Sequence, residues 1–183
     1  MGLTNFRSLR WSRFGRVIGG LFSILMVGSL LRQFWPTSNG RLAAGATLPE
    51  ANLTYIAGGD GTLSLADLRG KPVLVNFWAT WCGYCVKELP MLSKVQAKYG
   101  ADKVAVIAVN DDGIDATRAF LAQRPALSLP FPHDPGGSLG RQLHIRNIPF
   151  TVFLDREGKV ASDKTGILSE GETVKRLDEL LAR

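Results

Sequence analysis

Apolar and polar positions follow two different periods along this chain, and the switches between them mark its elements. Val73 to Trp78 and Val104 to Val109 are continuous apolar runs, the pattern of strands buried on both faces. Between them, Cys82 to Tyr99 carries apolar residues at the spacing of a long helix, and Pro90 predicts a kink in it. Upstream, Leu53 to Ile56 and Thr62 to Leu65 flank Gly58-Gly59-Asp60-Gly61 and predict a hairpin. Downstream, Asp115 to Gln123 and Ser138 to Leu143 read as shorter helices. Phe150 to Leu154 and Lys159 to Ser162 predict a second hairpin around the turn Asp155-Arg156-Glu157-Gly158. Ser169 opens a final helix, with Glu172 as its capping-box partner and Leu177, Leu180 and Leu181 as its apolar stripe. Strands and helices thus intermingle in an α/β order, without repeats or low-complexity segments.

The first part of the chain follows a different rule. Arg7, Arg10, Arg13 and Arg16 precede an uncharged stretch from Val17 to Leu31, and Phe34 and Trp35 extend its apolar character past Arg32. A spanning helix needs about 20 residues, so the stretch is at the short end, with Arg32 able to snorkel to the interface. The pattern predicts a basic cytoplasmic arm over 1–16 and a transmembrane anchor over 17–35. A cleaved signal peptide is the competing reading, disfavoured because Ala44-Gly45-Ala46 lies far beyond the apolar core. Either reading leaves the arginines in the cytoplasm and puts the rest of the chain on the other side. Pro36 to Ala46, rich in small and polar residues, predicts a linker to a domain over 47–183.

Charge sharpens this division. The 183 residues carry a formal net charge of +6, and six arginines before residue 45, with no acid among them, account for all of it. The remainder is formally neutral, so the basic balance belongs to the tail and nucleic acid is not an expected partner. One chain of this length can bury one ordinary core beyond such a tail.

Candidate chemistry lies at the start of the long predicted helix. Trp81-Cys82-Gly83-Tyr84-Cys85 holds both cysteines of the chain. Two thiols in this spacing at a helix start can close a disulfide with little backbone movement. Unpaired helix N–H groups and the helix dipole favour a thiolate on Cys82, and the thiolate is the species that attacks a disulfide. Zinc would need about four ligands, and His133 and His144 are far off and wrongly spaced. A purely structural bridge is disfavoured because so short a loop constrains the unfolded chain little. A reversible redox couple is the remaining reading. Glu88, nearly one turn past Cys85, could point back toward the pair and handle the proton of Cys85.

Ala79-Thr80-Trp81-Cys82-Gly83-Tyr84-Cys85-Val86-Lys87-Glu88-Leu89-Pro90 resembles the active-site segment of thioredoxin-fold oxidoreductases, and most of all their membrane-tethered TlpA-like branch. Thr62 to Pro72 resembles that branch's lead-in to the first core strand, and Asn147 to Asp155 the segment with its cis-proline. The resemblance covers about Gly45 to the C-terminus. It implies a thioredoxin fold, a central mixed β-sheet flanked by helices, with an N-terminal hairpin extension and a central insertion within Asp111 to Pro135. It implies Cys82 as a partly exposed nucleophile, Cys85 as the buried resolving thiol, and Pro149 as a cis-proline facing them. Glu88 takes the proton role that the branch assigns to an acid there. Asn76 stands where thioredoxin has a buried acid, and Tyr84 replaces a common proline. Trp81, Gly83, Tyr84 and Ile148 become the substrate-contacting residues, and Trp78 core packing. A neutral domain with an apolar Ile148 suggests recognition by shape and backbone pairing rather than by charge.

The implied activity is thiol–disulfide exchange on protein disulfides outside the cytoplasmic membrane, with reduction preferred over oxidative folding. Electrons would come from a transmembrane thiol carrier. Apocytochrome c, a copper-delivery protein or a cytochrome oxidase subunit are the implied targets. No cofactor and no metal is expected, and a monomer held to the membrane by its N-terminal helix is. Phe150, where the cytochrome-c-maturation branch has Glu, counts against strict membership of that branch. A copper chaperone using the two cysteines and His144 is the alternative from another class, disfavoured by the C-x-x-C spacing.

Overall fold

The structure is a computed structural model that describes residues 42–183. The predicted arm over 1–16, the predicted anchor over 17–35 and the start of the linker lie outside the described residues. Among the described residues, no helix is long and apolar enough to cross a membrane.

Seven strands form one mixed sheet in the order β2-β1-β5-β4-β3-β6-β7. They are β1 Asn52–Ala57, β2 Thr62–Ser64, β3 Val73–Trp78, β4 Ala105–Asn110, β5 Phe131–His133, β6 Phe150–Leu154 and β7 Val160–Thr165. The helices are α1 Gly83–Tyr99, α2 Ile114–Ala122, α3 Ser138–Gln142 and α4 Glu170–Leu181. β3 lies parallel to β4 and antiparallel to β6, with Asn76 opposite both Ala108 and Thr151. The predicted hairpin β1–β2 joins the sheet through β5, the strand of the insertion, which also carries α2.

The continuous apolar runs of β3 and β4 feed two cores, because successive side chains point to opposite faces. Leu74, Trp78, Val106 and Ala108 pack under α1 and α4, against Leu89, Leu92, Leu177 and Leu180. Val73, Val75, Phe77, Ile107 and Val109 face the other way, against Leu53, Leu139 and Leu143. Burial on both sides fixes the height of β3 and hence the position of the loop after Trp78, where the cysteines begin.

Several boundaries differ from the sequence pattern for local reasons. β2 stops at Ser64 because Ser64 and Asp67 form a capping box on a 3-10 turn over Leu65–Leu68. Ser169 caps α4 by accepting from the Glu172 N–H, but the Glu172 carboxylate turns to Arg176 at 2.8 Å, so the box is half made. β7 extends to Thr165 although its residues are polar, since it is the last strand of the sheet and β6 is the one named strand it pairs with. α1 runs through Pro90 without ending there. The end of the predicted linker belongs to the domain: the Gly45 N–H donates to the Val160 carbonyl and the Val160 N–H to the Ala46 carbonyl, both at 2.8 Å.

Candidate active site

Cys82 is the N-cap of α1, and the Cys85 N–H donates to its Sγ at 3.2 Å. The two cysteines are joined in a disulfide with their Cα atoms 5.2 Å apart. Cys85 is wholly buried on the core face of α1, whereas Cys82 keeps 7% of its surface accessible. The order of exposure is the expected one, but Cys82 is more covered than expected. Its Sγ lies 3.8 Å from the Ile148 carbonyl oxygen, which arrives from 66 residues away. The Ile148–Pro149 peptide bond is cis, and the Gly166 N–H ties the Pro149 carbonyl to the end of β7 at 2.8 Å. Cys82, Cys85, Ile148 and Pro149 are thus brought together at the N-terminus of a helix, where a thiolate is favoured by N–H groups and the dipole.

Trp81 stands 75% exposed and Tyr84 67% exposed beside this pair, with the Lys87 ammonium 5.9 Å from the Tyr84 ring centre. A Cβ added at Gly83 would meet nothing within 4 Å, so the glycine leaves the approach to the sulfurs open. Trp81 is held by Asp112. One carboxylate oxygen accepts from the Trp81 indole N–H at 3.0 Å, and the other from the Thr80 backbone N–H at 2.6 Å and the Thr80 hydroxyl at 2.7 Å. Asn110 orients the loop that carries Asp112 by accepting from its N–H at 2.8 Å. Sequence reasoning passed over Asp112, because nothing local distinguishes it from its exposed neighbour Asp111. Asp112→Ala strips the partly buried Thr80 N–H of its partner. A loss of about 1–3 kcal/mol of stability is expected, read by urea unfolding, with little change in dithiol potential. Unchanged stability would mean these bonds contribute nothing.

Behind the disulfide lies a polar group in an otherwise apolar layer. Glu88 is 2% exposed. Its carboxylate accepts from the Leu168 N–H at 2.7 Å and from the Asn76 amide at 3.0 Å. The same amide nitrogen donates to the Thr151 hydroxyl at 3.0 Å, while the buried Asn76 Oδ1 has no hydrogen-bond partner among the described residues. Burial raises the Glu88 carboxyl above the usual carboxylate range, against the smaller opposing pull of the Leu168 and Asn76 bonds. Thr151 and Leu168 were not singled out from sequence, since their part depends on long-range packing. Trp78, as expected, is core, its indole donating to the Ala108 carbonyl at 3.2 Å.

His133 is buried with Nδ1 3.1 Å from the Asn110 carbonyl, and His144 is exposed after α3 in the left-handed region. Among the described residues, no group of three or more His, Cys, Asp or Glu side chains is placed to hold a metal ion. The chemistry this arrangement can perform is two-thiol exchange, one sulfur at the surface and one behind it.

The chain is similar to known proteins over the whole of the described domain. The Redoxin family model matches residues 43–181. The chain is 33% identical over 168 residues to the thioredoxin-like protein YneN of Bacillus subtilis, covering 88% of this chain and 96% of that one. It is 30% identical over 168 residues to the thiol–disulfide oxidoreductase ResA of Bacillus thuringiensis, covering 92% and 94%. A crystal structure assigned to a thiol:disulfide interchange protein DsbE of Chlorobium tepidum superposes with a TM-score of 0.68 at 31% identity, covering 78% of this chain and 99% of that one.

Proposed function

We propose a direction, a membrane side and a target class for this chain, which belongs to the Redoxin family as a thioredoxin-like thiol–disulfide oxidoreductase. It reduces protein disulfides on the outer face of the cytoplasmic membrane, tethered through its N-terminal segment. The observation that carries the reading is the asymmetric dithiol: Cys82 keeping a small accessible surface beside the cis-proline, Cys85 wholly buried, and a buried carboxyl, Glu88, one turn further along α1.

The exchange balances without a cofactor. The Cys82 thiolate attacks one sulfur of the substrate disulfide, forming a Cys82–substrate bond and releasing the first substrate thiolate, which takes up a proton. Cys85, its proton passed to Glu88, attacks Cys82; the Cys82–Cys85 bond forms, and the second substrate sulfur leaves as a thiolate that takes up the proton Glu88 gives back. Two electrons and two protons pass from the dithiol to the substrate. A dithiol carrier embedded in the membrane then restores the pair by the same exchange in reverse order. Apocytochrome c, a copper-delivery protein and a cytochrome oxidase subunit are the target proteins that fit such a reductant. Support for the membrane side comes from the arginines before Val17 and the uncharged stretch after them.

Equilibration of the full chain in detergent with dithiothreitol tests the direction. A potential near about −270 mV is expected of a reductant that must be fed electrons, and one near about −120 mV would make the chain an oxidant. Membrane-impermeant thiol reagents added to intact cells after mild reduction test the side. Labelling of Cys82 is expected, and labelling only after lysis would overturn the placement.

A further inference from the structure

Asn76 is wholly buried on the side of β3 that α1 covers, and the two ends of its amide are used unequally. Nδ2 donates both its hydrogens, one to Glu88 Oε2 and one to the Thr151 hydroxyl, each at 3.0 Å. Oδ1 is buried and has no hydrogen-bond partner among the described residues. The Thr151 hydroxyl is half used as well: it accepts from Asn76, and its own proton has no acceptor among the described residues. Glu88 Oε1 is held separately by the Leu168 N–H at 2.7 Å, which leaves Oε2 as the oxygen to take a proton.

This setting suits an ionised Glu88. A proton on Oε2 would face the Asn76 N–H, donor against donor. The amide keeps its shape when its ends are exchanged, so a half turn about its last bond brings Oδ1 between Oε2 and the Thr151 hydroxyl. Oδ1 has two lone pairs and then accepts from the Glu88 O–H and from the Thr151 O–H. Either setting makes two hydrogen bonds. No charged side chain has to move. β3, β6 and the segment before Leu168 bring none, and Cys85 is the other titratable group that α1 places in this layer. Arg176 of α4 lies over the Phe153 ring at 5.2 Å but is paired with Glu172 at 2.8 Å.

We propose that Asn76 is the positioning residue of the proton acceptor: its amide turns over when Glu88 takes the Cys85 proton and turns back when Glu88 releases it, with Thr151 exchanging the roles of acceptor and donor. The inference rests on the reading of Glu88 as the proton acceptor of a dithiol reductase. A second carboxyl at this position would compete for the proton, and an apolar side chain would leave Glu88 to Leu168 alone in both states.

The test uses the full chain in detergent, isotope-labelled at asparagine nitrogen and glutamate carbon, with the disulfide closed so that Cys85 does not titrate. Nuclear magnetic resonance follows two signals as pH is raised: the Glu88 carboxyl carbon, and the cross-peaks from the Asn76 side-chain N–H protons to the Thr151 side chain. Cross-peaks are expected to be strong while Glu88 is ionised and several-fold weaker while it is protonated, with one midpoint for both signals. Cross-peaks that persist unchanged across the Glu88 titration would show a fixed amide and overturn the proposal. Kinetics supply a second arm. Asn76→Leu removes the amide but keeps its bulk, and the rise of turnover with pH is expected to survive, moved upward by about one pH unit, because the bond lost from the ionised carboxylate is the stronger one. A merely structural Asn76 would lower stability and leave the rise where it stands, and that result would also sink the idea. A wild-type rate with no such rise, or a Glu88 carbon that does not titrate, would instead remove the proton-acceptor reading and the proposal with it.

Discussion

Cys82→Ser is expected to reduce disulfide turnover to background, and Cys85→Ser to stop it after one covalent event. A serine hydroxyl is not ionised at neutral pH, so the first variant has no nucleophile at the helix start. The remaining thiol cannot substitute for it, because Cys85 is 0% exposed and points into the core face of α1. In the second variant Cys82 still attacks, but nothing behind it can displace the substrate. A one-to-one disulfide-linked adduct accumulates, visible on a non-reducing gel and lost on reduction. The two outcomes separate the roles, since a scaffold defect would depress both variants alike. Full turnover by Cys85→Ser would show that another thiol resolves the intermediate. Accumulation of adduct by Cys82→Ser would reverse the assignment of nucleophile.

The architecture was legible because it rests on patterns that burial imposes over many residues. Two strands buried on both faces read as unbroken apolar runs, and the turn at Asp155 to Gly158 carries its own signal, Asp155 Oδ1 accepting from the Glu157 and Lys159 N–H groups. The dithiol was legible because its chemistry is local: a four-residue spacing at one helix start. What surrounds the dithiol was less so. Asp112 reaches Thr80 and Trp81 across 32 and 31 residues, and the Ile148 carbonyl reaches Cys82 across 66. Such pairings are decided by sheet order, which no local period encodes. Glu88 follows Lys87 and could have been a solvated residue on a helix surface; only the register of α1 on β3 puts it against Asn76.

Glu88→Gln is expected to lower the rate of the exchange about a hundredfold and to change how that rate depends on pH. Burial holds the carboxyl above its ordinary range, so Glu88 becomes able to accept the Cys85 proton only at a pH above that at which a free glutamate ionises. Wild-type turnover is therefore expected to rise through that raised value, and the rise is expected to vanish in the variant. Loss of packing would scale the whole profile down without removing the limb. The variant keeps one side-chain oxygen at this position, so the buried Leu168 N–H still has an acceptor. Stability supplies an independent check. A carboxyl whose folded value is raised above its unfolded one contributes stability that is fully present below the unfolded value and is lost as pH rises through the folded value. Urea unfolding is thus expected to show Glu88→Gln gaining on wild-type protein as pH moves from 4 to 8. Unchanged rates with an unchanged profile would reduce Glu88 to a buried hydrogen-bond acceptor for Leu168 and Asn76. A slower enzyme with the limb lost, and a relative stability that climbs with pH, is the combination that only a proton-accepting carboxyl behind the dithiol produces.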